Sequence, residues 1–282
     1  MSALVQYLIS GIATGCAFAL VATGFVTIHR VTGVVNFAQG GFAILAGYVT
    51  FSALRAGLPH GVSELLAVLL ATATGGLVGV ISIGRRGTPL LASLIITIGL
   101  GFLFYAVEVA IWGDQPLQFE GVPGVFGLAG LTLQRQYLLI VAGAGVSFAA
   151  LLLFFNRTYL GKIFTACASN AYAARLAGIN VTRVGIAAFA LGGLLGGLAG
   201  VLLLPLRSLT FDSDVDLAVN GFAAAIFGGL QRPGAALVGG LVIGLAEALV
   251  AGYSHASYQK GVSLVLIVGI LVWQASRRPQ AD

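Results

Sequence analysis

Charge is what this sequence most lacks. Of its 282 residues only 8% are Asp, Glu, Lys or Arg, against about 25% in soluble domains, so it cannot build a water-facing surface of ordinary make-up. Cysteine is nearly absent too. Cys16 and Cys167 are the only two, without metal-type spacing and too few for a disulfide framework. The three histidines, at 29, 60 and 255, suggest neither a metal cluster nor a nucleophile–base pair. No phosphate-binding G-x-x-x-x-G-K-[ST] loop occurs, because Gly161-Lys162 is followed by Ile163 and has no preceding glycine frame. The chain is therefore expected to be no enzyme, to bind no metal, and to hydrolyse no ATP by that route. The opening Met1-Ser2-Ala3-Leu4-Val5 has no basic segment and reads as the head of a first span rather than a cleaved signal.

What remains is apolar: 59% of the residues are hydrophobic. Runs free of charge extend over 1–28, 31–54, 65–84, 87–107, 136–156 and 184–206. Each is near the about 20 residues that a helix needs to cross the hydrocarbon layer. Their apolar character is continuous rather than alternating, which excludes a β-barrel. The reading is an all-α, polytopic membrane bundle forming a single domain over 1–282. About nine spans (eight to ten) are expected, at 4–28, 36–54, 63–83, 88–111, 136–156, 183–206, 217–230, 234–252 and 260–276. The formal charge of +5 fits topology better than nucleic acid. A cytoplasmic C-terminus puts Arg30, Arg85, Arg86, Arg157, Lys162, Arg175, Arg183, Arg232, Arg277 and Arg278 inside, ten of fourteen basic residues. Arg55, Arg135, Arg207 and Lys260 stay outside, with Glu64, Asp114, Glu120, Asp212, Asp214 and Asp216. The N-terminus is then external.

Two C-terminal segments, 217–231 and 233–246, are short and rich in Gly and Pro. They fit either broken helices presenting backbone groups to a polar path, or two short helices joined by a tight turn. Glycine totals 41 residues, and Gly192, Gly196 and Gly200, like Gly193 and Gly197, recur every fourth position. Gly11 and Gly15 repeat the device. Such strips allow close helix approach, chiefly within the bundle.

The connection 157–182 is too polar for a span and too apolar for a floppy linker. From Ser169 it reads as a short amphipathic helix, with Ala173, Leu176 and Ala177 on one face and Gly178 as its stop. Its Tyr159-Leu160-Gly161-Lys162 and Ala174-Arg175-Leu176-Ala177-Gly178-Ile179-Asn180 resemble the cytoplasmic coupling loop of permease subunits in ABC importers for branched-chain amino acids. Asn36-Phe37-Ala38-Gln39-Gly40, and Gly221 to Leu230 continuing to Glu247, are similar to two further segments of that family, in family order, and nearer its LivH-like branch. The match departs from the family pattern at Thr165-Ala166, where Arg-Ala is usual. It departs also at Asn170 and at Gly41, where an acid is common. The resemblance implies a multi-pass permease in the bacterial plasma membrane that moves branched-chain or related amino acids by alternating access. Implied partners are a second permease subunit, identical or related, two cytoplasmic ATPases that carry ATP and Mg, and an external solute-binding protein. Gly161, Lys162, Thr165, Ala174, Arg175 and Gly178 are the expected ATPase-coupling residues. Urea or amide substrates, a stand-alone secondary transporter or channel, and, least favoured, a membrane enzyme are the alternatives.

Polar residues in apolar spans mark the candidate substrate path: Asn36, Gln39, Thr97, Asn220 and Glu247. Asn36 and Gln39 share a helix face at the start of the second span, where they bind substrate groups or cap a broken end. Thr97, Gly101, Tyr105 and Glu108 form one stripe, Thr97 read as pore-lining and Glu108 as interfacial. Asn220 is read as a cap for the short span. Glu247 is either a gating group or a protonated or backbone-satisfied residue that joins two helices.

Overall fold

In a hydrocarbon layer each backbone N–H and C=O must find a partner within the chain, so long apolar runs fold as helices. The structure, a computed structural model, describes residues 2–84, 88–128, 131–208, 210, 213–254 and 258–277. Arg85, Arg86, Asp212, His255 and Arg278 lie outside the described residues, as do the side chains of Lys260 and Arg277.

The elements are α1 (Ser2–Thr32), α2 (Gln39–Arg55), α3 (Val62–Ile83), α4 (Leu90–Trp112), a hairpin of β1 (Val125–Leu128) and β2 (Leu131–Gln134), α5 (Arg135–Arg157), α6 (Tyr159–Ser169), α7 (Ala171–Leu176), α8 (Val181–Leu203) with a 3₁₀ turn to Leu206, α9 (Ser213–Phe227), α10 (Pro233–Tyr253) and α11 (Gln259–Arg277). Every expected span coincides with a helix. Six of them, α1, α3, α4, α5, α8 and α10, are long and apolar enough to cross a membrane. Helices α2 and α9, with 17 and 15 residues, are shorter.

Three expectations change. Of the two short C-terminal segments only α9 is short; Pro233 opens a helix of 21 residues that continues past Ala246. The two are joined by a tight turn in which Gly229 and Leu230 both have positive φ, as the turn reading expected. The antiparallel hairpin, pairing Val125 with Gln134 and Leu128 with Leu131, is an addition to an all-helical plan. The connection after α5 holds two helices, α6 and α7, instead of one. Ala173, Leu176 and Ala177 face outward, and the buried residue of α7 is Ala174.

Helix α1 is the axis of the bundle. It is enclosed for most of its length, whereas α4 and α5 keep most of their surface facing outward. The small-residue strips explain how neighbours come so close. A Cβ on Gly244 would run into the backbone of Gly15, and one on Gly240 into that of Ala19. On α8, Gly193 meets the carbonyl of Ala71 in α3, and Gly200 that of Ala43 in α2. The strips therefore serve packing within the chain.

Candidate functional site

The chain breaks inside the bundle between α1 and α2. Gly33 has φ +74° and ends α1, and α2 starts at a depth where Gln39 packs against Gly24 and Gly192, within the lengths of α1 and α8. The Gly33 N–H still reaches the His29 carbonyl of α1 (2.7 Å); beyond it the chain leaves the helix, and side chains take over part of its backbone bonding. The Thr32 hydroxyl accepts from the Val34 N–H (3.1 Å) and the Asn36 side-chain oxygen from the Ala38 N–H (3.2 Å). The Thr97 hydroxyl, on α4, accepts from the Phe37 N–H (3.3 Å) and donates to the Leu94 carbonyl (2.8 Å). The Gln39 amide donates to the Gly192 carbonyl of α8 (2.9 Å) and its oxygen accepts from Asn36 (3.4 Å).

Asn36, Gln39 and Thr97 are thus brought together, each fully buried, and they hold the break from behind. As expected, Asn36 and Gln39 stand at the start of the second helix, and both amides lie inside the bundle. The side chain the break presents is Phe37, 42% exposed. It forms a wall of a cavity of about 520 Å³ with Phe25, Gly101, Tyr105, Asp214 and Phe222, a size usual for small-molecule sites. The lining is aromatic and aliphatic except at Asp214, in the first turn of α9. The sequence placed Asp214 in an external connection. The structure puts its backbone carbonyl against Gly40, where a Cβ would collide with it.

Asn220 and Glu247 form a separate cluster. The Glu247 carboxylate, 2% exposed, accepts from the Ser263 hydroxyl (3.1 Å) and the Gln259 amide (3.4 Å) of α11. The Asn220 side chain of α9 also bonds to it, and the Arg207 guanidinium stands 3.9 Å away. Glu247, Gln259 and Arg207 edge a cavity of about 240 Å³ with Ser10 and Thr14 of α1. The cap assigned to Asn220 is therefore overturned, since α9 begins at Ser213 and Asn220 lies at mid-helix. Glu247 is satisfied by side chains of three other segments, not by backbone.

Glu108 stands four residues before the end of α4 at Trp112, on the stripe the sequence marked. It is 2% exposed, and neither carboxyl oxygen has a hydrogen-bond partner. At that level α2 and α4 are tied by the Tyr48–Trp112 stack (5.0 Å) and the Trp112–Ser52 bond (2.7 Å). Sequence reasoning put Glu108 on the right stripe and near the end of its helix, which closes at Trp112, but gave no sign that the side chain would be buried.

The arm α6–α7 is built by its caps. Thr158 accepts from the Gly161 N–H (2.9 Å), Asn170 from the Ala173 N–H (2.9 Å) and Asn180 from the Arg183 N–H (3.1 Å). Each opens a helix in the manner such side chains favour. Gly161 packs on the Phe154 backbone, where a Cβ would collide, and Thr165 donates to its carbonyl (3.0 Å). Ala174 sits with Val31, Phe164, Cys167 and Ala188 in a small core, and burial pushes the Cys167 thiol up. Gly178, at φ +82°, turns the chain into α8. Lys162 and Arg175 are exposed. So are Tyr172 and Leu176, at 71% and 74%.

Comparison with known proteins agrees with this architecture. The chain is 27% identical to the high-affinity branched-chain amino acid transport system permease protein LivH of Salmonella typhimurium, covering 95% of this chain and 92% of that protein. It is 28% identical to the permease protein BraD of Pseudomonas aeruginosa, over 98% and 97%. A more distant relative, the ribose import permease protein RbsC of Escherichia coli, is 26% identical over 90% and 81%. Among solved structures, PsaBC from Streptococcus pneumoniae in complex with Fab shares the fold, with a TM-score of 0.52 at 12% identity over 94% of this chain and 91% of that one. The model of the family described as branched-chain amino acid transport system / permease component matches residues 7–271, and the chain belongs to that family, as a multi-pass membrane permease.

Proposed function

We propose that this chain is the transmembrane permease subunit of an ATP-driven bacterial importer for branched-chain or related hydrophobic amino acids. The match to the permease family over residues 7–271 carries the reading. The geometry adds two supports. One is the aromatic cavity beside the α1–α2 break, which offers a hydrocarbon side chain an apolar passage within the bundle. The other is the α6–α7 arm, whose capped, packed base displays Tyr172 and Leu176 away from the bundle.

In this reading the arm faces the cytoplasm, the C-terminus lies on the same side, and the N-terminus is external. Two ATPase subunits holding ATP and Mg seat the arms of two permease subunits, identical or related, while a solute-binding protein delivers substrate from outside. Gly161, Ala174 and Gly178 set the shape of the arm; Lys162, Thr165 and Arg175 lie on or near its outer surface. Closure of the ATPases moves the arms and switches the paired bundles between two packings, with access from one side and then the other. The Asn36, Gln39 and Thr97 network fixes the break that forms the passage, and the Asn220–Glu247 cluster ties α9, α10 and α11.

The test is the double variant Tyr172→Asp, Leu176→Asp in the chain co-expressed with its ATPase subunits. Co-purification of the ATPase is expected to fall to background, and leucine uptake with it, while the variant stays in the membrane fraction. Unchanged uptake refutes the coupling role of the arm.

A further inference from the structure

The apolar cavity ends in acid, and the mechanism above does not use it. Asp214 is in its wall. Glu108 lies one turn beyond Tyr105 and two turns beyond Gly101 on one face of α4, and both of those residues line the cavity. Asp214 packs by its backbone carbonyl on Gly40 of α2, and Tyr48 of the same helix stacks on Trp112, one turn beyond Glu108. Helices α2, α4 and α9 thus meet at one end of an aromatic chamber, with Asp214 in its wall and Glu108 buried on the face of α4 that lines it. Both oxygens of Glu108 are buried without a hydrogen bond.

An unpaired buried acid is costly, and two ionised acids in one apolar setting repel; one takes up a proton, or a cation stands between them. The cation this place suits is organic. A hard metal ion asks for six or more oxygen ligands, and among the described residues no group of three or more metal-type side chains exists. The walls, by contrast, are Phe25, Phe37, Tyr105 and Phe222. Such rings accept hydrocarbon and attract ammonium through their faces.

We infer that Glu108 and Asp214 form a binding site for the primary ammonium group of a ligand whose hydrocarbon tail occupies the aromatic cavity. The inference rests on the proposed amino-acid transport for its biological ligand, but not for its chemistry. The ammonium supplies the donors that Glu108 lacks, and the tail excludes water from the pair. Recognition here is by the amine end and the side chain; no residue on this wall is cationic, so the carboxylate of a zwitterion points away from the pair.

The test uses the full chain in lipid nanodiscs and equilibrium binding of three radiolabelled probes: leucine, isoamylamine (leucine without its carboxylate) and isocaproate (leucine without its amine). Leucine and isoamylamine are expected to bind and isocaproate not. Glu108→Gln and Asp214→Asn should each weaken both amines by about tenfold or more, the size of a lost hydrogen bond to a charged group, with the gel-filtration profile unchanged. Isocaproate binding as well as leucine, no binding of either amine, or amine affinities indifferent to both variants would overturn the site. Leucine uptake by the assembled transporter is measured in parallel. Amine binding without uptake leaves the site standing and removes the transport reading; uptake with amine affinities unaffected by the variants does the reverse.

Discussion

Helices α4 and α10 each contain a single acid, and the two side chains, Glu108 and Glu247, are equally buried at 2% exposure. Around Glu247 the fold collects a hydroxyl, two amides and a guanidinium from three other segments. Around Glu108 it places no such group, and both oxygens are left without a hydrogen bond. A buried acid whose partners lie in the same chain ties that chain together. One without them holds binding capacity in reserve, at a cost in stability.

The contrast can be broken by stability measurements in nanodiscs, where the two acids should move in opposite directions. The largest effect is expected for Glu247→Ala, which leaves Arg207, Ser263 and Gln259 without their common acceptor. A loss of about 2–3 kcal/mol should follow, less than for a fully buried ion pair because Arg207 still reaches water. An unchanged Tm would mean the cluster ties nothing. Next, Glu108→Leu should stabilise the chain by about 1–2 kcal/mol, since an apolar group of similar size replaces an unsatisfied one. A Tm drop as large as that of the Glu247 variant would erase the distinction. The smallest effect belongs to the α1–α2 break: Thr97→Val removes the acceptor of the Phe37 N–H and should cost about 1 kcal/mol. A neutral result there would show that the break is held by Asn36 and Gln39 alone.

Much of the architecture was readable because hydrocarbon imposes length and composition together, and each of the nine apolar runs became a helix. The glycine strips of α1 and α8 were equally legible, since a four-residue repeat fixes a face before its neighbour is known. Depth was not. Asn36 and Gln39 follow an apparent end of a span, and only the packing of Gln39 on Gly192 puts them inside the bundle. Asn220 looked like a cap because the apolar run starts beside it. The helix starts at Ser213, its two early acids suiting the positive end of the helix dipole. The partners of Glu247 lie on α11, α9 and the segment after α8, and no local pattern joins residues so far apart. The hairpin at 125–134 escaped notice because two strands of four residues carry too little alternation to register.

The contact between α1 and α10 carries a further consequence. Gly11, Gly15, Gly240 and Gly244 bring main chain against main chain, with no side chains between to rotate out of the way. Two helices meshed like this cannot slide by repacking, so they must travel as one rod. Any change of shape this protein undergoes is then forced into joints elsewhere, such as the Gly33–Ala38 break, and the rod acts as the lever arm that moves about it.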